Sequence, residues 1–442
     1  MLLLHTSTEL VQQIPLWPSI PFFIILLAIA VGPLIAEEWW ENNRNKFLVS
    51  IILSIPTIYY LIHMGLLEPL KHQILGDYFP FIVLLTSLFV ITGGIHLSGD
   101  IKAKPWINTM FLGIGYLLAS FMGTTGAAML LIRPVISVNH QRKYNVHTIL
   151  FFIAAVANCG GLLTPLGDPP LLMLYLRGAS FTWFFSLIPE WAFTGILLLV
   201  IYFIMDTYYY KKEPAENLSA DAREIEPIRI VGTLNFVYLL GVILSVAFIN
   251  HDMIPEMGKE HAPFWLAHLR EFVLILFTAL AYFTTPEKTR SKNKFSWGPI
   301  VEVAVVFIGI FITMTPTLIY LRQHAPDMGL TEAWQFYYAT GILSAFLDNT
   351  PTAVAFHSVA SSIPVAEGIP IVANVAEKIL SAIATSAVFF GALTYIGNGP
   401  NFMVKSIAED HGIKMPSFFG YMLKFSLIIL LPIYILTQLL FM

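Results

Sequence analysis

The sequence is poor in the residues on which several classes of protein depend. It contains one cysteine, Cys159, so it can form neither an intrachain disulfide nor a cysteine-based metal cluster. Only 12% of its 442 residues are charged, far fewer than in an ordinary soluble domain. It has no P-loop, no HExxH zinc motif and no nucleic-acid-binding motif. We therefore expect no ATP-driven pump, no metalloprotease, no cofactor and no nucleic-acid partner.

Hydrophobic residues, in contrast, are abundant. They make up 57% of the chain, and the mean hydropathy is +0.73. Apolar runs of about 17 to 23 residues recur along the whole length, which matches a hydrocarbon core of about 30 Å. The first run, Ile20 to Ala36, lacks the basic residues that precede a cleaved signal peptide and is expected to be a retained helix. These features predict an all-α multi-pass membrane protein whose partner is the lipid bilayer, in the inner membrane if the source is bacterial.

The first half of the chain contains ordinary spans and two irregular stretches. The ordinary spans are predicted near residues 19–36, 46–67, 78–97 and 188–210, with Lys71-His72-Gln73 in a loop. Within residues 105–138, Gly123-Thr124-Thr125-Gly126 leaves an arm of about 12 residues, which rises about 18 Å and is too short to cross the membrane. A re-entrant hairpin is predicted there. Residues 147–178 would form a helix of about 48 Å, and Gly160-Gly161 together with Thr164 to Pro170 predict a break in it.

The second half repeats this order after a polar linker, residues 211–230. Its ordinary spans are predicted near 233–250, 267–283, 298–321 and 417–441. A second re-entrant hairpin is predicted over 331–360, with its tip at Asp348-Asn349-Thr350-Pro351. A second broken helix is predicted over 371–408, with its break at Gly391 to Pro400. Five crossings per half would make the second repeat, 231–442, inverted relative to the first, 1–210, as in many secondary transporters.

The distribution of basic residues predicts the orientation. Sixteen Lys and Arg residues, among them Arg223, fall in the loops that this order places on one side, and five fall in the loops on the other side. Cytoplasmic loops of membrane proteins are enriched in Lys and Arg. The linker 211–230 is therefore predicted to be cytoplasmic, and both termini are predicted to lie outside.

Acidic and helix-breaking residues occur together twice inside apolar runs, in Thr164 to Pro170 and in Asp348 to Thr352. Both kinds of residue are costly in a bilayer unless they face protein or a water-filled cavity. Together with the first hairpin tip and the second break, these stretches supply the carboxylate, hydroxyl and amide oxygens that small hard cations prefer. The candidate ion-binding residues are Thr124, Thr125, Asn158, Thr164, Asp168, Asp348, Asn349, Thr350, Thr394, Asn398 and Asn401. Asp168 and Asp348 are the predicted Na+ ligands.

Each candidate also has a structural interpretation. Asp348 precedes Thr350-Pro351 and suits a helix N-cap, and Asp168 could cap a short helix that starts at Pro169-Pro170. The Thr and Asn side chains could satisfy backbone groups in the broken helices. Three further residues could relay protons or could have purely structural roles, namely Glu302, His96 and His357.

Four stretches resemble the ion transporter superfamily, in particular its NhaD-type sodium/proton antiporters and its citrate/arsenite-type permeases. They are TTGAAMLLIRP (Thr124 to Pro134), GGLLTPLGDPPLL (Gly160 to Leu172), FLDNTPT (Phe346 to Thr352) and TYIGNGPNFMV (Thr394 to Val404). The resemblance implies a scaffold region and a transport region of hairpins and broken helices, often in a homodimer. The relatives that carry dicarboxylates typically have Ser-Asn-Thr at both hairpin tips. This chain instead has Thr124-Thr125-Gly126 and Asp348-Asn349-Thr350. It also has Pro169-Pro170 where the NhaD type typically continues with a Thr-rich stretch.

Two functions are consistent with these observations. The first is exchange of Na+ or Li+ for protons, with Asp168 and Asp348 alternately binding cation and proton, because burial and a neighbouring carboxylate both disfavour the charged form. The alternative is sodium-coupled uptake of citrate or another di- or tricarboxylate. Two aspartates would repel such an anion unless bound cations neutralised them, and the nearest basic residues are Arg133, Arg177 and Lys405. A membrane enzyme or scaffold is disfavoured, since no loop is long enough to form a catalytic domain.

Overall fold

The structure is a computed structural model that describes residues 13–221, 225–259 and 261–442, without the side chains of residues 33, 34 and 37. The first twelve residues of the predicted first repeat, and Arg223 of the predicted linker, lie outside the described residues. Helices dominate the described residues, and the few strands are short.

The first half contains eight principal helices. They are α1 (Ile20–Ile35), α2 (Asn43–His63), α3 (Leu67–Thr92), α4 (Pro105–Met122), α5 (Thr124–Val138), α6 (Val146–Ala155), α7 (Pro169–Leu176) and α8 (Ile188–Tyr210). Short helical turns lie at Trp17–Ser19, Glu37–Trp40, Cys159–Leu163, Phe181–Leu187 and Ala215–Asp221. Gly123, the residue between α4 and α5, has a φ of 81°, which glycine adopts without the strain that a side chain would add.

The second half has the same order of helices. They are α9 (Leu234–Phe248), α10 (Leu269–Thr284), α11 (Gly298–His324), α12 (Ala333–Phe346), α13 (Asn349–Ala360), α14 (Glu377–Phe390), α15 (Gly399–Asp410) and α16 (Phe418–Phe441). Short helical turns lie at Pro255–Gly258, Phe264–Ala267, Glu287–Lys292, Ala325–Met328 and Gly391–Leu393. Both halves thus contain three helices, a pair joined at a tip, a broken helix and a final helix.

The outer surface of the described residues is strongly apolar. Large hydrophobic side chains such as Phe283, Phe419 and Leu439 are mostly exposed. Within the described ranges, seven helices are long and apolar enough to cross a membrane. Three further helices, α1, α5 and α9, are apolar but shorter. A lipid bilayer is the solvent that accommodates such a surface, so the chain is an integral multi-pass membrane protein.

The predicted helix limits agree with the structure to within three residues for α1, α8, α9, α10, α11 and α16. The predicted loop at Lys71-His72-Gln73 is wrong, because these residues lie inside α3, which continues through a π-helical segment at His72–Tyr78. Pro69 lies in the first turn of α3, where proline is tolerated, and Lys71 forms an ion pair of 2.7 Å with Glu68. Charge alone therefore does not end this helix.

The structure also contains two small β-ribbons that the sequence analysis did not predict. Strand β1 (His96–Asp100) pairs antiparallel with β2 (Glu226–Val231), which connects the end of α3 to the linker. Strands β3 (Ile371–Val372) and β4 (Val375–Ala376) form a hairpin. Its two turn residues, Ala373 and Asn374, both have positive φ, as a two-residue hairpin turn requires. The second broken helix therefore begins at Glu377 and not at residue 371.

The packing brings distant parts of the sequence to one place. Helix α13 packs against α7, α12 packs along α14, and α4 packs against the turn Cys159–Leu163. Helix α15 contacts both α5 and α6. The start of α5, the break before α7 and the starts of α13 and α15 consequently meet in the interior.

Candidate functional site

Asp168 is the central residue of the interior site. It directly precedes α7 and has an extended backbone, with φ −144° and ψ 143°. Its side chain makes no hydrogen bond to the start of α7, so it does not act as the cap that the sequence allowed. Only 1% of the residue is exposed. The carboxylate instead points to groups from other elements.

Three neutral groups donate hydrogen bonds to the Asp168 carboxylate. Thr124 Oγ1 lies 2.8 Å from Oδ1, Asn398 Nδ2 lies 3.2 Å from Oδ1, and Asn349 Nδ2 lies 2.9 Å from Oδ2. Thr124 begins α5, Asn349 begins α13 and Asn398 immediately precedes α15. Within the described residues, no Lys, Arg or His pairs with this carboxylate. A buried carboxylate without a cationic partner is costly, and binding a proton or a small cation relieves that cost.

Side-chain amides form a chain of hydrogen bonds that starts at Asp168 and continues through Asn398 and Asn158 to Asn401. Asn398 Nδ2 also lies 3.2 Å from Asn158 Oδ1, and Asn158 Nδ2 donates to Asn401 Oδ1 at 2.6 Å. On the other side of the carboxylate, Ser344 Oγ lies 2.5 Å from Asn349 Oδ1. Asn158 and Asn401 are fully buried. The amide groups therefore hold one another in position around Asp168.

Two predicted ligands, Thr164 and Thr394, instead bind backbone groups at the two breaks. Thr164 Oγ1 donates to the carbonyl oxygen of Ser120 and accepts from the backbone N–H of Leu166. Thr394 Oγ1 donates to the carbonyl oxygen of Ala345 and accepts from the N–H of Gly397 at 3.0 Å. These contacts satisfy backbone groups that the interrupted helices leave free. The hydroxyls of Thr164 and Thr394 therefore stabilise the backbone at the two breaks.

The two breaks have the same local backbone shape. Asn398 has φ −143° and ψ 140°, within a few degrees of Asp168. Thr164 and Thr394 are also both extended, with φ −146° and −137°. The same turn therefore presents a carboxylate from the first half and an amide from the second half, and the two side chains meet.

Asp348 lies beside the site but has a different role in this conformation. Its Oδ1 accepts a hydrogen bond of 2.9 Å from the N–H of Thr350, so it caps α13, as its structural interpretation predicted. It is half-buried and makes no described hydrogen bond to Asp168. Thr350 is buried in the same turn, whereas the Thr125 side chain is exposed. The predicted pair of aspartates therefore consists of one buried carboxylate and one cap next to Asn349.

The three suggested proton-relay residues lie apart from this cluster. Glu302 is 46% exposed and forms an ion pair of 2.6 Å with Lys46. His96 is part of β1, and its Nδ1 lies 2.7 Å from Asn293 Oδ1. His357 Nε2 lies 3.0 Å from the carbonyl oxygen of Ala373 in the β3–β4 turn. None of the three makes a described hydrogen bond to Asp168 or its donors. Their described partners are Lys46, Asn293 and Ala373.

Sequence reasoning missed the residues that orient the site. Ser120 anchors Thr164 through its carbonyl and donates its hydroxyl to the carbonyl of Gly160, and Ser344 holds Asn349. Gly391 lies so close that an added Cβ would be 2.5 Å from Asn349 Oδ1 and 3.0 Å from Asn158 Oδ1. Serines in apolar helices are common, and these two carry no distinguishing sequence pattern. Only the packing of α4 and α12 against the breaks reveals their roles.

The acidic groups of the site are Asp168, which is buried, and Asp348, which is half-buried. Within the described residues, no group of three or more His, Cys, Asp or Glu side chains could hold a metal ion. Arg177, at the end of α7, is engaged with Asp77 at 3.1 Å.

Comparison with known proteins gives two matches. A family model described as "Putative citrate transport" matches residues 11–442, nearly the whole chain. The Inner membrane protein YbiR of Escherichia coli (strain K12) is 27% identical over 132 residues, which cover 27% of this chain and 36% of that protein. The match thus spans about a third of the length of this relative. The family description indicates transport, and the name of the second relative indicates an inner membrane protein.

Proposed function

The chain belongs to the family described as "Putative citrate transport", and we propose that it is a secondary transporter. The ions that we propose it exchanges at Asp168 are a monovalent cation, Na+ or Li+, and protons. The observation that carries the proposal is the buried Asp168 carboxylate with three neutral donors and no cationic partner among the described residues. A proton and a cation would compete for the same carboxylate. Such competition enforces exchange, since one must leave before the other can bind.

The amides of Asn349 and Asn398 suit both forms of the site. In the present arrangement each amide nitrogen faces Asp168, at 2.9 and 3.2 Å. Rotation of either amide would present its oxygen in place of its nitrogen, which supplies a ligand for a hard cation. Asp348, one residue before Asn349, is the second residue that binds the cation or the proton in this proposal. Its negative charge favours the entry of cations.

We also propose that the two halves form an inverted repeat of five crossings each. The proposed first repeat is 1–210, with a re-entrant hairpin over 105–138 and a broken helix over 147–178. The proposed second repeat is 231–442, with a hairpin over 331–360 and a broken helix that begins at Glu377 and ends at Asp410. Support comes from the identical order of helices and from the matching backbone of Asp168 and Asn398. In this arrangement the site lies where broken helices of opposite direction meet.

The decisive experiment uses purified protein in proteoliposomes with an imposed pH gradient and a pH-sensitive dye. Addition of Na+ or Li+ should dissipate the gradient for the wild type, and Asp168→Asn should reduce this signal to the level of empty liposomes. Asp348→Asn separates charge from capping, because asparagine is also a good N-cap. We expect it to weaken exchange while leaving the protein folded.

Asp327→Asn is the matched control, since Asp327 is exposed and distant in sequence from both hairpin tips. It should exchange ions at the wild-type rate. Exchange by Asp168→Asn at the wild-type rate would remove Asp168 from the transport site. Absence of any response to Na+, Li+ or K+ across the pH range would contradict cation/proton exchange altogether.

Sodium-coupled uptake of an organic anion is the second candidate, and the description of the matching family favours it. The contacts of Asp168 argue against a bound multivalent anion, because its donors carry no positive charge. Bound Na+ would have to supply that charge. Uptake of labelled citrate that requires Na+ and disappears in Asp168→Asn would establish this function in place of exchange.

A further inference from the structure

A basic cavity of about 760 Å³ lies away from Asp168, beside the end of α5. Its described lining contains Arg133, Arg142, Lys143, Lys414, His140 and His411, and no described Asp or Glu. The remaining lining residues are apolar or neutral. This composition sets the cavity apart from the interior site, where both ionisable groups are acidic.

Three of the cavity cations have no ion-pair partner among the described residues. Arg142 is neutralised, because its Nη2 lies 2.7 Å from Asp206. Lys143, Lys414 and Arg133 are not compensated in this way, and Lys143 Nζ contacts only the face of the Tyr144 ring, at 5.5 Å from its centre. The Arg133 Nε atom is buried and has no hydrogen-bond partner among the described residues. This N–H can therefore donate to an anionic oxygen in the cavity.

The walls of the cavity come from the far ends of the elements that build the Asp168 site. Arg133 lies on α5, whose first residue is Thr124, and the lining includes Val146, the first residue of α6. His411 and Lys414 directly follow α15, which is preceded by Asn398. A ligand in the cavity would therefore contact α5, the loop before α6 and the loop after α15.

We propose that this cavity binds a small organic anion with two or more carboxylate or phosphate groups, through Arg133, Lys143 and Lys414. The charge count favours a multivalent anion over chloride or a monocarboxylate. The volume falls within the range of about 300 to 1,000 Å³ that is typical of small-molecule sites. Arginine and lysine at different depths suit a ligand with several separated oxyanions, since Arg133 is half-buried and both lysines are exposed. This binding does not depend on the proposed ion exchange.

The test measures ligand-induced thermal stabilisation of the purified full-length protein in a neutral detergent. Citrate is the probe, and NaCl of equal ionic strength corrects for screening. Because a ligand that binds only the folded state raises its stability, citrate should raise the Tm of the wild type. Lys143→Ala/Lys414→Ala should weaken the apparent affinity by about tenfold, as expected for the loss of two cations from one binding surface. Lys414→Glu, a single surface change, should weaken it at least as much.

Lys288→Ala/Lys292→Ala is the matched control, because both lysines are exposed on the short helix Glu287–Lys292 and do not line the cavity. It should bind citrate like the wild type. A second arm replaces citrate with short-chain phosphatidylglycerol. If only the lipid stabilises the protein, and does so through Lys143 and Lys414, the ligand is a lipid headgroup with a single charge and the proposal of a multivalent organic anion is overturned. A citrate or lipid effect that is equal in wild type, cavity variants and control would overturn the proposal.

Discussion

Asp168 and Asp206 are two buried aspartates with the same number of described side-chain partners. The partners of Asp168 are all neutral, whereas those of Asp206 include an arginine. Asp168 is 1% exposed and Asp206 is fully buried, and each carboxylate contacts three described side chains. Asp206 forms an ion pair with Arg142 Nη2 at 2.7 Å, lies 2.9 Å from His147 Nε2 and accepts from Asn108 Nδ2 at 3.1 Å. The donors of Asp168 are a hydroxyl and two amides.

The difference separates a carboxylate whose charge is compensated by the protein from one whose described partners are all neutral. The charge of Asp206 is permanently compensated, and its contacts connect α8 with α4, α6 and the loop that carries Arg142. Asp168 has its hydrogen bonds but no counter-charge among the described residues, and in the proposed exchange a mobile proton or cation supplies it. Burial alone therefore does not distinguish the two carboxylates, whereas the charge of their partners does.

The same Asp→Asn change at the two positions should have very different effects on stability. Asp206→Asn leaves the Arg142 guanidinium without its main partner and should lower the free energy of unfolding by about 3 to 5 kcal/mol. Glu213, 3.7 Å from Arg142, favours the lower end of that range. Asp168→Asn removes an uncompensated charge and disturbs one hydrogen bond, so stability should change by no more than about 1 kcal/mol. Denaturant unfolding in detergent measures both, and equal losses would contradict the distinction.

Gly391→Ala disturbs the neutral donors around Asp168 without changing any charge. The new methyl would lie 2.5 Å from Asn349 Oδ1 and must displace the Asn349 amide. We expect a loss of about 1 to 3 kcal/mol in stability, as for other overpacked cores, together with a large loss of ion exchange. Gly399→Ala is the control, because nothing lies within 4 Å of its added Cβ. Wild-type exchange by Gly391→Ala would show that the amide positions are unimportant.

Ser344→Ala should have the smallest effect, because it loosens only one donor of Asp168. The Ser344 hydroxyl lies 2.5 Å from Asn349 Oδ1 and 2.7 Å from the carbonyl oxygen of Ala387. Its loss should cost about 1 kcal/mol in stability and reduce the apparent affinity for Na+ a few-fold. Ser386→Ala is the matched control, since Ser386 is equally buried but bonds only to its own helix. Equal Na+ affinities in the two variants would show that Ser344 does not position Asn349.

The sequence predicted most helices because apolar length and proline or glycine positions are local signals. It predicted the wrong boundary at Lys71, since a charged turn can remain helical when Glu68 pairs with it. It missed the pairing of β1 with β2, whose partners are separated by 126 positions at Asp100 and Glu226 and by 135 positions at His96 and Val231. Neither strand has an alternating pattern that identifies the other. Long-range pairing of this kind becomes visible only in three dimensions.

The residue types of the site were also predictable, but their partners were not. Asp168, Thr124, Asn349 and Asn398 were selected as oxygen-bearing residues at unwound positions, and the structure brings these four together. The sequence could not distinguish them from Thr164, which has the same composition signal but faces backbone groups. Which side of a short extended segment faces the interior depends on its packing against α4, and this is not encoded locally.

The position of Asp168 in the chain has a consequence for synthesis. Its donors Asn349 and Asn398 follow it by 181 and 230 residues. At about 5 to 20 residues per second, the ribosome supplies them roughly 10 to 50 seconds after Asp168. During that interval a newly inserted first half contains a carboxylate whose only described side-chain donor is Thr124. Final packing around Asp168 therefore requires the second half, and the site can be completed only after Asn349 and Asn398 have been synthesised.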